Sequence, residues 1–64
     1  MINKFNIGDL VTSNRFLGLG IITDKLYRAA DEDEVVPDWY YFVHFENGDA
    51  HWLHERALML EIKV

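Results

Sequence analysis

Cysteine is absent from the chain. No disulfide can staple the fold, no cysteine-based zinc site can form, and no thiolate is available as a nucleophile. Proline occurs once, at Pro37, and glycine four times, so no linker or low-complexity tract divides the sequence. No apolar run approaches the ~20 residues that span a bilayer, and residues 1–6 lack the apolar stretch of a signal peptide. A single soluble cytoplasmic domain with no membrane contact is expected. Basic residues are the scarcer charge, six Lys and Arg against eleven Asp and Glu, for a net charge of −5. Lys4, Arg15, Lys25, Arg28, Arg56 and Lys63 are scattered. Phosphate-backbone binding draws on clustered cations, which argues against a nucleic-acid partner.

What is present is a short, aromatic-rich chain. Its 64 residues make one domain, 1–64, and a domain of that size buries only about 60% of the surface of its unfolded chain. Half of the residues are hydrophobic, so a packed core is expected rather than disorder. Asp31, Glu32, Asp33, Glu34 and Asp38 fall in one stretch without a basic residue. The six remaining acids balance the six bases, so the whole excess charge sits in that stretch, which reads as part of a loop over 28–38 in which Pro37 ends any helix and sets up the next strand.

The chain is organised around residues 39–53. Trp39-Tyr40-Tyr41-Phe42-Val43-His44-Phe45 leads through Glu46-Asn47-Gly48-Asp49 to Ala50-His51-Trp52-Leu53. Aromatic and β-branched runs flanking Asn-Gly predict a hairpin. Two registers are open. A two-residue turn at Asn47-Gly48 sets Phe45 opposite Ala50 and Val43 opposite Trp52, burying Trp52. A three-residue turn with a bulge at Gly48 shifts the parity, burying Leu53 and exposing Trp52. In either register an aromatic among Tyr40, Phe42 and Trp52 is left partly exposed.

Four further segments follow from local pattern. Leu10-Val11-Thr12 reads as a first strand after a Gly8-Asp9 turn, and 16–27 as a long second strand bent at Gly18 and Gly20. Residues 54–57 break the strand period and predict a single 3₁₀ turn. Leu58, Leu60, Ile62 and Val64 alternate with other residues and predict a fifth strand with those four on one side.

Ile7-Gly8-Asp9-Leu10-Val11, Gly18-Leu19-Gly20-Ile21-Ile22, Tyr41-Phe42-Val43-His44-Phe45-Glu46-Asn47-Gly48, Trp52 and Glu55-Arg56-Ala57-Leu58 together resemble small SH3-like barrels of the Tudor and KOW type. The resemblance covers nearly the whole chain. It implies an all-β, five-stranded, closed antiparallel barrel with a short 3₁₀ turn before the last strand. Short free-standing chains of this make-up are similar to small proteins of tailed bacteriophages, which implies the host cytoplasm as location. Tudor domains also imply a methylated-cation cage, for which Phe16, Tyr27, Trp39, Tyr40 and Trp52 are the rings available here. KOW domains imply RNA contact through basic loops, where this chain has an acidic one.

The candidate binding residues are Tyr40, Phe42, Trp52 and Trp39 with Asp31, Glu32, Asp33 and Glu34. Ring faces and carboxylates both attract a positive group, which points to a protein partner of basic character. The plain alternative is that the rings only fill a small core. A homodimer through the aromatic patch is the second reading.

Chemistry beyond binding has no support in the sequence. In the tight register His44 and His51 are neighbours and His54 lies opposite, so no three-histidine metal site is expected. Asp31-Glu32-Asp33-Glu34 lacks the alternating ligands and central glycine of a calcium loop. Gly18-Leu19-Gly20 lacks the third glycine of a dinucleotide loop. No serine or threonine sits in a nucleophile elbow. A non-enzymatic module without cofactor is the expectation.

Overall fold

The computed structural model describes residues 4–28 and 38–62. It places five strands, β1 (Leu10–Ser13), β2 (Gly20–Arg28), β3 (Asp38–Phe45), β4 (Ala50–His54) and β5 (Leu58–Ile62), with a 3₁₀ turn at Glu55–Ala57 between the last two. All neighbours are antiparallel, in the order β4-β3-β2-β1-β5. The all-β reading holds, and among the described residues no helix is long and apolar enough to cross a membrane. The acidic residues Asp31, Glu32, Asp33 and Glu34, with Pro37 and Val64, lie outside the described residues.

The sheet does not close, which corrects the expected closed barrel. β4 and β5 are its two edges and do not pair with each other. It is nevertheless curled, as chain length requires. Only the three residues Glu55–Ala57 separate β4 from β5, so the joined ends lie within about 14 Å of one another, at about 3.5 Å per residue. Five flat strands would hold their edges ~19 Å apart. The 3₁₀ turn carries the chain from edge to edge without forming the ladder that closure needs.

β2 begins four residues later than the expected start at Phe16. Ser13 Oγ accepts the N–H groups of Arg15 (2.8 Å) and Phe16 (3.3 Å), folding the chain back on itself. Gly18 follows with φ +94°, in the left-handed region that suits glycine. The hairpin turn holds this connection: Leu19 N–H donates to Glu46 Oε2 (2.9 Å), and Glu46 N–H donates to the Leu19 carbonyl (3.0 Å). The glycine inside β2 is Gly20, where a Cβ would collide with Val43 Cγ1 and press on Phe45. Close approach, rather than a positive φ, is why glycine stands there.

Of the two hairpin registers, the three-residue turn is found. Tyr41 pairs with Leu53, Phe42 with Trp52 and Val43 with His51. Gly48 N–H donates to the Phe45 carbonyl (2.9 Å), Phe45 N–H donates to the Asp49 carbonyl (2.7 Å), and Gly48 has φ +99°. This is a type I turn closed by a glycine bulge. Leu53 is consequently buried, and Trp52 is 45% exposed.

The core lies on the inner face and consists of Phe5, Val11, Ile22, Tyr41, Val43, Phe45, Leu53 and Leu58, with Phe16 and Trp39 packed against it. On β5 only Leu58 is buried, while Leu60 and Ile62 are 41% and 59% exposed. The expected common side of Leu58, Leu60 and Ile62 does not hold along the strand, because the register shifts between Leu60 and Ile62 and turns Ile62 to the opposite face. Leu10 pairs with Ile62 and Val11 with Leu60, which leaves Glu61 as an extra, bulged residue at the open edge.

Candidate functional site

A third bulge, in β2, decides what the outer face carries. Ile22 pairs with Val43 and Asp24 with Phe42, so Thr23 is an extra residue on β2. Strict alternation from buried Ile22 would turn Asp24, Leu26 and Arg28 inward. The bulge reverses that parity and turns them outward. Leu26 therefore lies beside Tyr40, which pairs on its other side with His54, and Asp24 lies beside Phe42, which pairs with Trp52.

The result is an aromatic strip across β3 and β4. The ring centroids of Phe42 and Trp52 are 5.1 Å apart, those of Tyr40 and His54 4.3 Å, and those of Phe42 and His44 5.0 Å. Leu26, Arg28, Tyr40, Trp52 and His54 line an open concavity of about 530 Å³ on this face. The Arg28 guanidinium carbon lies 5.8 Å from the centroid of the Tyr40 ring, within cation–π range.

Asp38 closes the polar end. Its Oδ2 lies 3.4 Å from His54 Nδ1 and 3.4 Å from Arg56 Nε, and its side chain is only 15% exposed. The carboxylate thereby fixes the His54 ring that forms one wall. The face thus combines aromatic rings, one carboxylate held by His54 and Arg56, and the Arg28 cation over the Tyr40 ring.

The structure thus brings Tyr40, Phe42 and Trp52 onto one face. Trp39 lies on the opposite face, 5.5 Å from Tyr27 and with Lys25 Nζ 5.7 Å from a ring centroid. Its buried Nε1 has no hydrogen-bond partner among the described residues. Phe16 is elsewhere again, stacked on His51 with centroids 4.1 Å apart and planes 5° from parallel. The five rings considered for a cation cage therefore do not surround one point. His51 also faces inward, away from His44 and His54, because the register differs by one from the tight turn. Among the described residues no group of three or more His, Asp or Glu is placed to hold a metal ion.

Leu26, Arg28 and His54 are the site residues that sequence reasoning missed. Nothing local marks Thr23 as a bulge, so the outward turn of Leu26 and Arg28 has no signal in the sequence. His54 was assigned to the 3₁₀ turn, although it ends β4. Comparison with known proteins gives no match: no family model fits the chain, and no curated protein or solved structure is similar to it.

Proposed function

We propose that the chain is a small SH3-like binding module without catalytic activity, whose aromatic outer face docks a protein of basic character. The observation that carries this reading is the contiguity of Tyr40, Phe42 and Trp52, with Trp52 45% exposed and its ring against Phe42. A contiguous apolar patch on a small soluble fold is a contact surface more often than a scattered exposed ring is. The net charge of −5 favours an encounter with a basic partner. The SH3-like part draws support from the strand order, the curl of the sheet and the 3₁₀ turn before β5.

The test is affinity capture with three baits: the unaltered chain, Tyr40→Ala/Trp52→Ala, and Leu17→Ala, which changes a 92% exposed residue outside the strip. Proteins retained by the first and third baits and lost from the second are expected. Identical capture by all three would falsify the assignment of the contact face.

A second reading, self-association, is favoured by β5, where Met59, Leu60 and Ile62 are 66%, 41% and 59% exposed. An edge strand this apolar is a template for pairing. Sedimentation over a range of concentrations separates the two, since a monomer at the highest concentration removes self-association.

A further inference from the structure

We infer that the Tyr40 ring at the concavity on the outer face takes a guanidinium or ammonium side chain of the partner, and that Arg28, at the wall of that concavity, now covers this ring. The inference rests on the docking reading above and adds the chemistry of the ligand and a competitor within the chain. The concavity is lined by the aromatic side chains of Tyr40, Trp52 and His54 together with Leu26 and Arg28. Such surfaces attract cations through the negative ring face. A guanidinium demonstrably fits, because that of Arg28 lies 5.8 Å from the Tyr40 ring centroid.

Arg28 is a poor permanent occupant. It is exposed and is the last residue of β2. Its neighbour across the ladder, Asp38, is already engaged by His54 and Arg56. Among the described residues the single contact shown for its charged end is therefore the half-buried Tyr40 ring, and with Arg28 itself exposed that contact falls in the weak range for cation–π pairs. Displacing Arg28 leaves Asp38 balanced by Arg56 and frees the ring face, while the net charge of −5 favours the arrival of a cation. Lys25 provides the internal comparison, since its ammonium sits over Trp39 on the opposite face.

The experiment is an NMR titration of the full chain with a short peptide alternating arginine and alanine, and with its glutamate counterpart. The indole N–H signals of Trp52 and Trp39 report the two faces separately. The arginine peptide is expected to move the Trp52 signal and leave that of Trp39 in place. Arg28→Ala is expected to tighten binding roughly two- to fivefold, the worth of one exposed cation–π contact. Lys25→Ala removes the same charge without opening the site and is expected to change affinity less. Equal tightening by both variants, or weakening by Arg28→Ala, overturns the role of Arg28 and leaves the docking face standing. Preference for the glutamate peptide overturns the ligand class. Absence of any Trp52 response to either peptide, at concentrations where capture by the unaltered chain still depends on Tyr40 and Trp52, overturns this inference alone. Loss of that dependence removes the docking reading with it.

Discussion

Tyr41 Oη donates a hydrogen bond to Glu55 Oε2 at 2.6 Å, joining β3 to the 3₁₀ turn that links the two edges of the sheet. The same carboxylate oxygen accepts the Lys4 N–H at 2.8 Å, and the Tyr41 hydroxyl accepts the Phe5 N–H at 3.3 Å. One fully buried phenol therefore ties together the N-terminal segment, β3 and the turn. An open sheet needs such a clasp, because no ladder between β4 and β5 holds the curl.

Removing that hydroxyl tests the clasp. Tyr41→Phe keeps the ring, which packs edge-on against Phe5 with centroids 5.3 Å apart, and deletes only the hydrogen bonds. A loss of about 1–3 kcal/mol in urea unfolding is expected, the range for a buried bond to a charged group. An unchanged midpoint would show that the turn is held by packing alone.

The same phenol makes stability depend on alkaline pH. Burial, followed by the hydrogen bond to Glu55, raises the Tyr41 pKa from 10.0 to about 12. Between these values the unfolded chain has released the proton and the folded chain still holds it, so the stabilisation is complete below pH 10 and is lost as pH rises towards 12. The loss amounts to roughly 2–3 kcal/mol, at 1.36 kcal/mol per pH unit. Unfolding measured across that window is expected to slope downward, and the Tyr41→Phe variant to lack this part of the slope.

Hairpin register is tested by a pair of truncations. Leu53→Ala removes a buried side chain and is expected to cost about 2–5 kcal/mol. Trp52→Ala is expected to cost less despite the larger residue, because its ring is 45% exposed. The reverse order in thermal or urea unfolding would return the chain to the two-residue turn.

Two glycines separate crowding from backbone strain. Gly20→Ala drives a Cβ into Val43 and Phe45, with an expected cost of about 1–3 kcal/mol for overpacking. Gly48→Ala meets nothing within 4 Å, so only its φ of +99° penalises the change, by about 1–2 kcal/mol. Adding Val43→Ala should recover part of the first loss and none of the second. Equal recovery in both would show that contact with Val43 is not the cause.

The particular elements explain how far the sequence could be read. Runs of aromatic and β-branched residues marked β3 and β4, and Asn47-Gly48 marked the turn, because strand propensity and positive φ are local properties. The 3₁₀ turn was equally legible from the broken period at 54–57. The late start of β2 was less so, since Phe16 to Gly20 has strand-like composition and only the Ser13 side chain folds it away.

From sequence alone came an all-β chain, its five strands in order and the aromatics Tyr40, Phe42 and Trp52 as the residues to watch. Tertiary structure alone decided which faces those strands present. A slip of one residue reverses a whole strand, and its cost is settled by partners distant in the chain, as at Gly48 and at Thr23. The second of these bulges turns Leu26 and Arg28 outward to meet Tyr40, Trp52 and His54. That meeting is a product of non-local pairing, for which no short stretch of residues carries a signal.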